Sequence, residues 1–160
     1  MSLPTGGPIR VEITQVRPQN VASVRESIAH DDMTEALGRM FQEVAAVLAR
    51  QGVGPSGPRF ARWHTFGDSI DLEAGMPVAA PIRPEGNVRA SSLPGGPAAH
   101  AIHMGHYERL QAAYQAISDW IERTGRRPGE GPWEVYTTDP TTEPDPERWR
   151  TDIHWPLVLR

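Results

Sequence analysis

Apolar residues recur along this chain with two different periods. From Met33, the apolar positions Leu37, Met40, Phe41, Val44, Val47 and Leu48 fall three and four residues apart. That spacing predicts a helix with one broad apolar stripe. Asp31 or Asp32 stands where a cap is needed, and Glu35 completes a capping box from Asp32. Gly52 and Gly54-Pro55 end it. A second helix is predicted from about Tyr107 to Thr124, with Tyr107, Leu110, Tyr114, Ile117 and Ile121 on its stripe and Gly125 as its stop. Elsewhere the pattern alternates, as strands do. VEITQV and VASVRESI (11–28) read as two strands joined by a four-residue turn, as do VRASSL and AAHAIHM (88–104).

The two halves repeat this grammar. Gly57-Pro58 and Gly131-Pro132 lie 74 residues apart, and the same offset pairs Met33 with Tyr107, Met40 with Tyr114 and Val47 with Ile121. SIDLEAGMPV (69–78) resembles TDIHWPLV (151–158), each alternating and ending in an apolar-Pro-apolar cluster. Each half therefore reads strand, strand, helix, strand, strand, over about residues 10–80 and 87–159. The expectation is an α+β fold of one domain, residues 1–160, built from duplicated modules. Each module has an antiparallel sheet and one long helix. A pseudo-twofold axis would relate the modules, and the seam between them is the natural place for a central ligand cleft.

Composition narrows the classes. Of 160 residues, 38% are hydrophobic and none is cysteine, so a core can form without disulfides or thiolate metal sites. No apolar run approaches the roughly 18–20 residues a membrane span needs. The N-terminus, MSLPTGGPIR, lacks a basic segment followed by an apolar one, so a cytoplasmic location is expected. Net charge is −4, arginine supplies all 16 basic residues, and only Arg126-Arg127 are adjacent. Direct nucleic acid binding, which needs a basic face, is not expected.

The candidate chemistry centres on GPWEVYTTDP (131–140). Glu134 is a poor strand former set among Trp133, Val135, Tyr136, Thr137 and Thr138. Side chains alternate, so Glu134 and Tyr136 share a face opposite Trp133 and Val135. At the 74-residue offset, the matching face of the first half carries Phe60, Arg62 and His64, opposite Arg59, Ala61 and Trp63. If Trp133 and Val135 pack on the helix, Glu134 and Tyr136 face away from it. Glu134 is then either a solvated acid or a carboxylate in an aromatic cleft, where charge and ring quadrupoles together attract cations. His100, His103 and His106 are spaced three apart. That spacing puts His100 and His103 on opposite strand faces, so no metal site is expected. A place for His103 or His106 at the cleft mouth stays open. Tyr107 and Tyr114 read as core, and Asp68, Asp71 and Glu73 as a solvated hairpin. No phosphate loop or nucleophile elbow occurs, and no cofactor is expected.

HMGHYERL (103–110), GPWEVYTTDP (131–140), TEPDPERW (142–149), TDIHWPLV (151–158) and DLEAGMPV (71–78) together resemble the GyrI-like small-molecule-binding domain, the AraC-type effector-binding domain, over about residues 10–158. The resemblance implies a duplicated module with a ligand cleft between the halves. It also implies a glutamate, in a GP-x-E-x-Y segment, that reaches into the cleft to meet cationic, hydrophobic ligands. Glu134 and Tyr136 match those positions, and Trp149 and Trp155 become candidates for the lining. About ten residues precede the first strand, so the chain resembles stand-alone members rather than those fused to a DNA-binding segment. Stand-alone relatives include antibiotic-binding and gyrase-inhibitory proteins. Others are hydrolases of strained cyclopropane natural products. The primary expectation is a binder of a hydrophobic, cationic small molecule. The alternative is a hydrolase with Glu134 and Tyr136 as catalytic residues. A protein inhibitor acting through an acidic surface comes third. An unpaired sheet edge leaves a homodimer open.

Overall fold

The structure, a computed structural model, describes residues 9–158. It is α+β, with eight strands and two long helices. In chain order these are β1 (Val11–Val16), β2 (Gln19–Ala29), α1 (Met33–Gln51), β3 (Phe60–Thr65), β4 (Ser69–Pro77), β5 (Arg89–Leu93), β6 (Gly96–Met104), α2 (Leu110–Arg123), β7 (Trp133–Tyr136) and β8 (Arg150–Pro156). Strand, strand, helix, strand, strand thus occurs twice along the chain. Short 3₁₀ turns, His30–Asp32 and Tyr107–Arg109, lead into the helices. The second helix therefore begins its α-helical hydrogen bonding at Leu110, one turn later than the apolar stripe suggests. No helix among the described residues is long and apolar enough to cross a membrane.

The expected capping box at α1 does not form. Asp32 makes no side-chain cap bond, because the 3₁₀ turn already occupies that position and supplies the cap backbone bond to the His30 carbonyl. The C-terminal stop does form. Gly52 takes φ +68°, where its N–H can reach the Ala49 and Leu48 carbonyls.

The chain divides into two compact units, Val16–Gly96 and the remainder. The first has strand order β3-β4-β2-β5. In β4, Ile70, Leu72, Ala74 and Met76 are buried on one face, opposite Ile28, Glu26, Val24 and Ala22 of β2. Arg39 of α1 meets Glu26 at 2.7 Å, which places α1 over this face. Met40, Val44, Val47 and Leu48 are its buried residues. Across β3, Ala61 and Trp63 stand on the same side, paired with Ala74 and Leu72.

The second unit has strand order β1-β6-β8-β7. Its core joins Ala99 and Ala101 of β6, Ile153 of β8, and Ala113, Ile117 and Ile121 of α2. The alanines let the helix sit close to the strands, and a fully buried Ile117 contributes about 1.5–3 kcal/mol. The last two strands of each half pair as neighbours, β3 with β4 and β7 with β8, but the first two do not. β1 lies beside β6, and β5 beside β2, so each sheet takes its outer strand from the opposite half of the sequence.

Candidate functional site

Strand register decides which way Glu134 points. Glu134 pairs with Ile153, which pairs with Ala101. Directly opposed residues share a face. Ile153 and Ala101 are core residues under α2, so Glu134 projects toward α2 as well. Tyr136, opposite Thr151, does the same. This reverses the expectation that Trp133 and Val135 take the helix side.

Glu134 is 4% exposed. A carboxylate so buried needs hydrogen-bond donors, or desolvation would disfavour it by several kcal/mol. Two phenols supply them. Tyr114 of α2 donates to Oε2 at 2.6 Å, and Tyr136 donates to Oε1 at 2.9 Å. Hydrogen bonds of this charge-assisted kind are short and strong. Tyr114, read from the sequence as a core residue, is thus half core and half ligand to the acid. Its ring also packs edge-on against Trp155 at 6.2 Å.

Aromatic rings continue from the acid. The Tyr107 ring meets Tyr136 at 5.4 Å and lies tilted over Trp149 at 5.0 Å, and His106 lies 5.5 Å from Trp149. The loop that presents them is pinned. The Gly105 N–H donates to the Trp149 carbonyl at 2.8 Å. The Trp149 indole donates to the Glu143 carbonyl at 2.8 Å, and Arg109 meets Glu147 at 2.6 Å. Gly105 takes φ +123°, and a Cβ there would meet the Arg109 guanidinium at 2.5 Å. His103, a candidate at the mouth, is buried and donates its Nε2–H to the His106 carbonyl at 2.9 Å. That bond ties the end of β6 to the loop that carries His106.

The opposite face of the same strands holds a separate polar network. Asp152 accepts from His100 Nε2 at 2.7 Å, from Thr137 Oγ1 at 2.7 Å, and from Arg150 through Nε at 2.8 Å and Nη2 at 3.0 Å. Burial works to raise the pKa of Asp152, but the donated bonds from His100, Arg150 and Thr137 outweigh it and hold the group well below the usual carboxylate range. The His154 ring stacks on His100, with centroids 4.8 Å apart, and tilts against Trp133 at 5.4 Å. Burial first, and the neighbouring His100 second, push its pKa down to about 4.

The three candidates from the first half, Phe60, Arg62 and His64, lie in the other unit, on the face of its sheet away from α1. Phe60 is buried opposite Gly75, and Arg62 stands opposite Glu73. Glu73, expected in a solvated hairpin, is 3% exposed. It accepts from Ser23 at 2.6 Å and from His64 Nε2 at 2.8 Å. Burial opposes its ionisation, but donors from Ser23, His64 and Ser91 hold its pKa below the ordinary value. Among the described residues no group of His, Asp and Glu is arranged to hold a metal ion. Of the sequence candidates, Glu134, Tyr136, Trp149 and Trp155 gather in one unit, together with Tyr107 and Tyr114. The signal that could have found Tyr114 is a phenol on an apolar stripe, since a buried hydroxyl needs a partner.

A buried acid gripped by phenols beside a wall of aromatic rings suits the holding of an organic molecule. The chain belongs to the family of the GyrI-like small molecule binding domain, whose sequence model matches residues 10–158. Small-molecule binding is the property of that family. Comparison with curated proteins gives no match. Among solved structures, the chain is similar to the C-terminal domain of EcmrR, with 20% identity and a TM-score of 0.84, covering 95% of this chain and 99% of that one. It also matches EcmrR in its DNA complex at 21% identity and a TM-score of 0.83, covering 96% of this chain but only 59% of that one. A hydrolase from Listeria innocua is similar at 15% identity and a TM-score of 0.63, with 93% and 92% of the two chains covered. SAV2435, bound to tetraphenylphosphonium, is similar at 11% identity and a TM-score of 0.60, with 93% and 94% covered.

Proposed function

We propose that this protein binds a hydrophobic, cationic organic molecule, with Glu134 as the counter-charge and Tyr107, Tyr136, Trp149 and Trp155 as the aromatic surround. The observation that carries this reading is the Glu134 carboxylate, buried and held by two phenol donors. A negative charge kept among rings favours a cation through Coulomb attraction and ring quadrupoles together. The bound tetraphenylphosphonium of SAV2435 supplies a probe of that chemistry.

Titration calorimetry with tetraphenylphosphonium tests it. Glu134→Gln keeps the shape and removes the charge. A Coulomb attraction of about 2–3 kcal/mol, for charges about 5–8 Å apart at an effective dielectric constant of about 20, is lost, which weakens affinity by about 30- to 200-fold. Equal affinity in the variant and the wild type overturns the assignment.

A second reading keeps the same acid but makes it a base, hydrolysing electrophilic cyclopropane-containing natural products. It would use Tyr136 as the donor to a leaving oxygen, which requires its single O–H to leave the 2.9 Å bond to Glu134. Against it, both carboxylate oxygens already accept a phenol O–H, which steadies the charge at the expense of basicity. Turnover of such a compound by the wild type, lost in Glu134→Gln with binding retained, would favour the enzyme.

A further inference from the structure

We propose that Asp152 is a positioning residue for Glu134. It acts from the face of the sheet opposite the ligand, by tying β7 to β8 and β6. The proposal rests on the reading of Glu134 as the ligand's counter-charge.

β7 is only four residues long, so its ladder to β8 spans few hydrogen bonds. Its two ends are held by side chains on the far face. At one end Trp133, next to Glu134, packs on the His154 ring. At the other, Thr137, next to Tyr136, donates to Asp152 at 2.7 Å. Asp152 in turn holds His100 of β6 at 2.7 Å and is clamped along its own strand by Arg150. One carboxylate thus connects three strands. Of the three residues between the anchors, Glu134 and Tyr136 point the other way and share a 2.9 Å bond. A small displacement of β7 would carry Glu134 and Tyr136 together but would spoil the 2.6 Å bond from Tyr114 of α2, because hydrogen bonds weaken steeply outside their narrow distance and angle range.

Thr137 is exposed, so it can be changed without opening the core. Thr137→Val deletes the hydroxyl at nearly constant shape, and Thr137→Ser restores it. Each variant is titrated with tetraphenylphosphonium and with neutral triphenylphosphine oxide, and its unfolding midpoint in urea is recorded. The expected result is a roughly five-fold loss of affinity for the cation in Thr137→Val. Binding of the neutral compound stays within two-fold, and Thr137→Ser returns the cation affinity to the wild-type range. A misplaced charge lowers the cation-to-neutral ratio, whereas a loosened fold lowers both affinities alike. Unchanged cation affinity in Thr137→Val, or equal loss of both compounds, overturns the positioning role. Glu134→Gln, measured alongside, reports separately on the site. If it loses the cation while Thr137→Val does not, the positioning role falls and the site stands. If Glu134→Gln binds as the wild type does, the site itself falls.

Discussion

Tyr114→Phe deletes one oxygen atom from the buried stripe of α2. The ring and its contact with Trp155 remain, but Glu134 Oε2 loses a 2.6 Å donor in a place water scarcely reaches. Hydrogen bonds to charged groups contribute about 1.5–3 kcal/mol, and a buried acceptor left short incurs its desolvation penalty. A loss of about 2 kcal/mol is therefore expected. For a chain of this length that lowers Tm by about 4–8 °C. The assay is urea unfolding followed by circular dichroism, with an unchanged m-value as the control that only stability moved. A double-mutant cycle with Glu134→Leu assigns the loss to the pair. With the acceptor gone, the part of the loss that belongs to this pair disappears, so Tyr114→Phe should cost clearly less than in the wild-type background. A loss below about 0.5 kcal/mol in the wild-type background, or an equal loss in both backgrounds, would refute the reasoning.

Acid should weaken the fold through His154. Its folded pKa is depressed from 6.5 to about 4, so the neutral ring is favoured in the folded state. Stability is fully present above pH 6.5 and declines as pH falls toward 4, by about 3 kcal/mol in all. The urea midpoint measured against pH should show this limb, and His154→Phe should flatten it. Gly75→Ala should be strongly destabilising although Gly75 has an ordinary φ. A Cβ there would sit 1.9 Å from the Ala22 carbonyl oxygen and 2.8 Å from the Ser23 Cα. Backbone must move between β2 and β4, and a fall in Tm of more than about 4 °C is expected by differential scanning calorimetry.

The helices, their apolar stripes and the order of elements were legible in the sequence because periodicity reports burial locally. The facing of β7 was not. The Gly-Pro pairs lie 74 residues apart, but β3 begins at Phe60 and β7 at Trp133. The first half carries one more residue between its Gly-Pro and its strand. A slip of one residue exchanges the two faces of a strand. Glu134, opposite Ile153, therefore stands on the helix side as Ala61 does opposite Ala74, and not as Phe60 does opposite Gly75. Glu73 was missed for a related reason. It alternates like a solvated hairpin residue, and only the pairing of β2 with β4 brings Ser23 beside it. Partners fifty residues away leave no trace in a local pattern.

The strand exchange between halves has a consequence for how such a chain can be cut or inherited. Breakage near Gly86 would leave one fragment without β5 and the other without β1, each with an outer strand of its sheet missing. Each sheet is complete only when both halves of the sequence are present. A deletion that removes either half therefore takes an outer strand from the sheet that the other half builds.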